Sequence, residues 1–249
     1  MDLLPIDITA YTGNTAIQYV TTLDSEKPGP HLLVNALTHS NEVCDAHELD
    51  YLFRNKVTPV PGTLSLSFAN IDAYEAFDAA NPSASRYLDE DFNRLWAAEI
   101  LEAPTRSREH ERAKTLRPLI DEIDHMLDLH SMQPPSPALA LAGTTEKCLA
   151  TCMAIGVPAA IVVDTGHAAG VRLRDYHPFV DLASKRSAVL IECGQHWATH
   201  SRDVAIDATL RFLLASSSLH LRPLPPPFQL RVLPLRHRAL SFLGLLLTV

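Results

Sequence analysis

Five short apolar runs, spaced along stretches of mixed polarity, set the rhythm of this chain. They are HLLVNAL (31–37), TLSLSFA (63–69), HMLDLH (125–130), AAIVVDT (159–165) and SAVLIEC (187–193). Runs of this length and content read as buried strands. Helical patterns lie between them. After Asn41, Val43, Ala46, Leu49 and Phe53 recur at helical spacing, with Asn41 or Ser40 placed to cap the helix start. In 106–123, Leu116, Leu119, Ile120 and Ile123 form one apolar stripe on an otherwise charged helix, and 202–216 gives another through Ile206, Leu210, Leu213 and Leu214. Strands alternating with helices predict an α/β domain whose sheet, largely parallel or mixed, is covered on both faces. Functional groups in such sheets gather at the carboxyl ends of strands. His39, Asn70, His130 and Glu192 all fall at or just beyond such ends.

The rhythm breaks near residue 216. Residues 220–249 contain no Asp or Glu, four arginines and a Pro-Pro-Pro run in a leucine-rich string. They show no strand alternation, and the closing ALSFLGLLL is too short to cross a membrane. The chain therefore divides into a domain over 1–215 and an atypical Pro/Leu/Arg-rich tail over 216–249. Coding sequence read out of frame would produce such a string; a gene whose other frames give no globular continuation would refute that origin.

With 47% apolar and 20% charged residues, the domain can support a packed core. A net charge of −8 argues against a nucleic-acid or anionic-membrane surface, although a few local arginines can still receive a small anion. Cys44, Cys148, Cys152 and Cys193 are too few for a disulfide framework at 249 residues, and reduced thiols point to the cytoplasm. The N-terminus lacks the basic and apolar regions of a signal peptide, and no apolar run reaches the roughly 18 residues of a bilayer span.

Chemistry concentrates in LTHSNEVCDAHE (37–48). His39 and Glu42 lie three apart where a strand gives way to a helix, so an imidazole and a carboxylate can reach one ion near a helix N-terminus. His130, ending the strand MLDLH, is the natural third ligand. Two histidines and a carboxylate form the ligand set of a hydrolytic zinc centre, which lowers the pKa of a bound water to about 7. Such a centre also needs a base, and Glu192 follows four apolar residues at a strand end, a costly place for a carboxylate without a task. A cation for the developing oxyanion is available in SRYLDEDFNRLW (85–96), through Arg86, Asn93 and Arg94. The plainer alternatives are a strand-capping His39, a solvated Glu42, a core His130, and a surface loop of ordinary ion pairs at 85–96.

HSNE (39–42), SRYLDEDFNR (85–94), DLHS (128–131) and IECGQ (191–195), in that order, resemble the succinylglutamate desuccinylase/aspartoacylase family of zinc amidohydrolases, which are related to the metallocarboxypeptidases. Members show G-x-H-G-N-E, an Arg seven residues before the Asn-Arg of D-[LF]-N-R, then D-L-H, then I-E-x-G. The resemblance covers about residues 30 to 200. It implies a three-layer α/β/α fold with a mixed, largely parallel central sheet of zinc carboxypeptidase type, the family's C-terminal β domain being absent or truncated here. It implies one Zn2+ per chain on His39, Glu42 and His130. Glu192 becomes general base and acid for a zinc-activated water, and Arg86, with the zinc, stabilises the oxyanion. Asn93 and Arg94 hold a carboxylate of the substrate, a small anionic N-acyl amino acid whose amide is hydrolysed. Asp128, two before His130, is read as structural, with orienting part of the site as its alternative, and assembly into a homo-oligomer stays open. Three features depart from the pattern: Ser40 replaces a Gly, Cys193 and QHWATH after Glu192 differ from the Gly-Pro-Gln type of continuation in aspartoacylases, and no Arg and Tyr match the substrate-side-chain readers ahead of the catalytic Glu, where only Arg172, Arg174, Tyr176 and His177 are available.

Three alternatives remain. One is a metallocarboxypeptidase-like peptidase using the same centre. A second is a truncated, inactive metal-binding relative. The third is a cysteine nucleophile, Cys44 with His39 or His47, or Cys193 with His196, for which neither pair has an orienting third residue.

Overall fold

The computed structural model describes residues 2–59 and 61–216, and the backbone of 238–240. The order begins with β1 (Val20–Asp24), β2 (His31–Ala36), α1 (Cys44–Arg54), β3 (Thr63–Phe68) and α2 (Ile71–Glu75). Then come α3 (Ala98–Glu102), α4 (Arg108–Ile120), β4 (His125–Met132), β5 (Leu139–Ala142), α5 (Glu146–Ile155) and β6 (Ala160–Val163). It closes with α6 (His177–Val180), β7 (Ser187–Gln195), α7 (Thr199–Ala215) and β8 (Arg238–Leu240). The strands form one sheet in the order β1-β3-β2-β4-β7-β5-β6-β8. Pairings β3·β2, β2·β4, β4·β7, β5·β6 and β6·β8 are parallel, while β1·β3 and β5·β7 are antiparallel. This is the mixed, largely parallel sheet expected.

Alternation along the central strands builds two cores. Leu32, Val34, Leu127, Leu129, Val189 and Ile191 face one side, where they meet α1, α5 and α7 through Leu49, Leu52, Ile155, Ala205, Leu210 and Phe212. Leu33, Met126 and Ala188 face the other, where α3, α4 and α6 bring Leu101, Ala113, Leu116, Leu119, Ile120 and Phe179. Each buried leucine-sized side chain contributes about 2 kcal/mol, so both faces of the central strands are committed and the functional groups are left to strand ends.

Two expectations about α1 are corrected. The helix begins at Cys44, with Val43 as N-cap and no side-chain cap bond, so neither Ser40 nor Asn41 caps it. Phe53 is only partly buried, although Val43, Ala46 and Leu49 are fully buried as expected. The tail over 216–249 lies outside the described residues, apart from Ser216 and the backbone of β8.

Candidate metal centre and its cavity

β2, β4 and β7 are neighbours, parallel, and central, so their carboxyl ends open onto one cavity. Past β2 the chain turns through Leu37, a non-glycine residue at φ +57°, which is a costly conformation. The buried Asp45 carboxylate accepts the Leu37 N–H at 2.8 Å, and the Leu37 carbonyl accepts from Asn70 N at 2.9 Å. Held there, the chain makes a tight turn, Glu42 N to His39 O at 3.2 Å, that folds both side chains to one side. Ser40, which stands where the family pattern has Gly, is not among the residues at positive φ, so a serine fits without strain.

The three expected ligands meet. His39 Nδ1 lies 2.8 Å from Glu42 Oε1 and His130 Nδ1 lies 3.1 Å from Glu42 Oε2. One ligand atom from each residue falls within 4.8 Å of the others, and all three side chains are buried. Burial opposes ionisation of Glu42, but the two imidazoles overcome it and hold the carboxyl well below its ordinary pKa. Burial likewise opposes charge on His130, and the carboxylates of Asp128 and Glu42 reverse it to a pKa well above the ordinary value.

The remaining histidine nitrogens carry the observation that tests a metal here. His39 Nε2 sits 2.9 Å from Asp91 Oδ1, and His130 Nε2 sits 3.0 Å from Asp128 Oδ2. Asp128 is itself fixed by Asn35 Nδ2 at 2.9 Å and Thr38 Oγ1 at 3.0 Å. Asp128 on the outer nitrogen of His130 leaves its inner Nδ1 as a lone-pair donor, the arrangement that metal-ligating histidines use, while the outer nitrogen of His39 is shared between Asp91 and Arg86. The donor set therefore fits a zinc-like ion. The carboxylate of Asp91 was missed in the sequence, and Asp128, read there as structural, contacts a ligand directly.

Arg86 reaches the same cluster, with Nη1 donating to Glu42 Oε1 at 3.2 Å and Nη2 at 3.6 Å from Asp91 Oδ2. Its Nη2 also lies 2.9 Å from His39 Nε2, a contact that excludes simultaneous donation from that nitrogen to Asp91. Glu192 stands opposite His130 in the β4·β7 register. Its Oε2 is buried and makes no hydrogen bond among the described residues. Burial, then repulsion from Glu42, raise its pKa to about 7, against the pull of His130 and Arg86. Proton affinity near neutrality suits a group that must both take and give a proton.

His39, Glu42, Arg86, Asn93, Arg94, His130 and Glu192 line one cavity of about 260 Å³, joined by Arg172 and His196. Asn93 is 2% exposed, and its Oδ1 is occupied by Leu173 N at 2.8 Å, which leaves only its amide nitrogen toward the cavity, 3.5 Å from His130 Nε2. Arg94 Nη1 donates to the Asn93 carbonyl at 2.6 Å, and its Nη2 is 3.8 Å from Asp91. Of the other arginines considered, Arg172 lines the cavity, paired with Asp164, while Arg174 is buried against Asp175 at 2.8 Å. Asn70 does not join the site; it caps α2 and lines a separate cavity beside Arg112. Neither cysteine pairing forms a nucleophile. Cys44 and Cys193 sit in the apolar core, burial holds the Cys193 thiol well above its ordinary pKa, His47 contacts Leu4 O at 2.8 Å, and His196 pairs with Ser131.

Residues 28–216 match the family model for the succinylglutamate desuccinylase/aspartoacylase catalytic domain. The chain belongs to that family. No curated protein sequence matches it. Among solved structures it is similar to the product-bound ectoine utilization protein EutE (DoeB) from Ruegeria pomeroyi, at 17% identity and TM-score 0.61, with 82% of this chain covered and 62% of the other. It is also similar to the succinylglutamate desuccinylase from Chromobacterium violaceum, at 20% identity and TM-score 0.60, over 79% of this chain and 64% of the other. A third is murine aminoacylase 3, at 22% identity and TM-score 0.56, over 78% of this chain and 67% of the other. These likenesses establish the desuccinylase/aspartoacylase fold. The chain spans less than two thirds of the length of the first two structures.

Proposed function

We propose that the chain hydrolyses the amide bond of a small, anionic N-acyl amino acid in the cytoplasm, using one zinc ion held by His39, Glu42 and His130. The observation that carries this reading is the cluster itself: two imidazole Nδ1 atoms converging on one buried carboxylate, each backed by an acid, in the cavity that Glu192 and Arg86 line. When bound, zinc supplies Lewis-acid polarisation of a carbonyl and lowers the pKa of water. Glu192 takes the proton of the attacking water as the new C–O bond forms and delivers it to the amine nitrogen as the C–N bond breaks. Arg86 lies beside the cluster, where a permanently charged guanidinium can receive the charge developing on the carbonyl oxygen. Arg94 and the amide nitrogen of Asn93 hold the substrate carboxylate. The four unpaired cysteines and the absence, among the described residues, of a helix long and apolar enough to cross a membrane are consistent with the cytoplasmic part of this reading.

The test pairs metal analysis with turnover on a panel of N-acetyl and N-succinyl amino acids. Glu192→Ala retains one zinc per chain and loses hydrolysis, whereas His130→Ala loses both. Zinc loss in Glu192→Ala would mean that the carboxylate is a ligand and not a base. A parent protein that holds zinc but turns over nothing on the panel would favour an inactive metal-binding relative, and cleavage of C-terminal peptide bonds would favour a peptidase.

A further inference from the structure

A β-bulge rearranges the cavity wall just beyond the proposed ligands. In the β4·β7 ladder His130 is opposite Glu192 and Met132 is opposite Gln195, so β7 carries one extra residue there, beside Gly194 at φ +120°. Bulges of this kind re-aim side chains next to active sites. The result is a contact between Ser131, which follows a proposed ligand, and His196, which lies beyond Glu192: Ser131 Oγ is 2.8 Å from His196 Nδ1. His196 is 1% exposed, and its backbone N–H donates to Met132 O at 2.9 Å. Trp197 braces the ring at a centroid distance of 5.4 Å and an interplanar angle of 63°, and its own indole N–H is anchored on Asn41 O at 3.1 Å.

The pair has two protonation patterns, and each leaves one proton for the cavity that both residues line. Ser131 is buried, and its hydroxyl has no other hydrogen-bond partner among the described residues. If Nδ1 carries the proton and donates to Oγ, the hydroxyl hydrogen is left toward the cavity; if the hydroxyl donates to Nδ1, the ring proton is. In the second pattern the ring proton sits on Nε2, which makes no hydrogen bond among the described residues and is left for a bound ligand. His110, whose two unpartnered ring nitrogens are sealed in the interior, lines none of the described cavities, whereas His196 lines the cavity of the metal centre.

We propose that His196 is a substrate-binding residue of this site: the Ser131 hydroxyl fixes its imidazole as the Nε2–H tautomer, which presents that N–H to an oxygen of the bound acyl amino acid. The assignment rests on the hydrolase reading above for the identity of the ligand, and on the match between a ring N–H and a substrate oxygen for the tautomer. Burial, with Arg86, His39 and His130 nearby, brings the imidazole pKa down to about 4 despite Glu42, so the donor is neutral under ordinary conditions. A neutral donor adds affinity for an oxygen without adding to the positive charge that Arg86, Arg94 and Arg172 already bring.

The tautomer can be read directly from long-range 1H–15N spectra of the histidine side chains in the full chain, with His196→Gln assigning the signal. The expected result at pH 7 is a pure Nε2–H imidazole in the parent, a mixture of tautomers in Ser131→Ala, and a shift of the parent signal on adding succinate as a carboxylate probe. An Nδ1–H ring, an imidazolium, or a signal indifferent to succinate would overturn the proposal. In kinetics, His196→Phe raises KM about tenfold with kcat nearly unchanged, as loss of one neutral hydrogen bond made equally in ground and transition states requires. His196→Gln, which keeps an N–H donor, recovers part of the loss and guards against a misfolded Phe variant. An unchanged KM in both variants would also overturn it. A parent without turnover on any acyl amino acid would sink the hydrolase reading, and the succinate shift would still decide the role of His196.

Discussion

Glu109, fully buried on α4, accepts the backbone N–H of Leu88 at 2.7 Å with Oε1. Its Oε2 accepts from Asp89 N at 3.1 Å and Glu90 N at 3.3 Å. One carboxylate thus satisfies three consecutive backbone donors of the loop that carries Arg86, Asp91, Asn93 and Arg94, and ties that loop to a helix. Glu109→Ala removes the acceptor of three partly buried donors, at about 0.5–1.5 kcal/mol for each lost hydrogen bond. The expected outcome is a loss of about 3 kcal/mol in urea unfolding, with faster proteolysis within 82–96 and lower turnover. Glu109→Gln falls between, because its amide nitrogen meets N–H groups that need an acceptor. Stability within about 0.5 kcal/mol of the parent in Glu109→Ala would show that the loop is held by other means.

Glu192 provides a second prediction, through its response to metal. In chelated protein its carboxyl titrates at about 7, because burial and Glu42 disfavour the charged form. A divalent ion on His39, Glu42 and His130 adds positive charge nearby, which favours the carboxylate and lowers its pKa. A 13C titration of the Glu192 side chain should therefore give a value near 7 without zinc and a lower one with it. The same lower value should appear as the acid limb of kcat/KM, with activity falling as pH drops through it, since the base must be ionised. Glu192→Gln should show no such limb because it shows no turnover. A Glu192 pKa that zinc leaves unchanged would separate the residue from the metal.

The parts of this arrangement that the sequence disclosed are those tied to periodicity and to strand ends. The runs that became β2, β4 and β7 are apolar on both faces, and that pattern located His39, His130 and Glu192 together before any contact was seen. β1 and β5 escaped notice because Val20–Asp24 and Leu139–Ala142 are short, and each is antiparallel to one neighbour, with no apolar run of its own long enough to mark it. Asn70 shows the converse failure: it also follows a strand, but β3 lies off the central trio and its residue caps α2 instead. Asp91 and Glu109 stand in charged segments where most carboxylates are solvated, and their tasks depend on contacts 52 and 21 residues away. His196 was weighed in the sequence only as a partner for Cys193, because its contact with Ser131 is made only across the bulge.

Glu48 marks a buried charge that the site does not use, and it supplies the last prediction. It lies on α1, fully buried against α7, and neither carboxylate oxygen makes a hydrogen bond of ordinary geometry among the described residues. Burial pushes its pKa well above the usual carboxylate value, with the Thr209 hydroxyl opposing and Asp45 adding to the rise. Because the folded pKa lies above the unfolded one, the folded state binds this proton more tightly. The favourable contribution is complete below the unfolded value of about 4.3 and is lost as pH rises toward the folded value. Glu48→Gln keeps the shape and removes the titration, so it should stabilise the protein by about 1–2 kcal/mol at pH 8, some 2–8 °C in Tm for a chain of this size. That gain should shrink as pH falls and vanish near pH 4, where glutamic acid and glutamine are both neutral. An equal gain at pH 8 and pH 4.5 would mean that packing, and not a buried charge, is what the substitution changes.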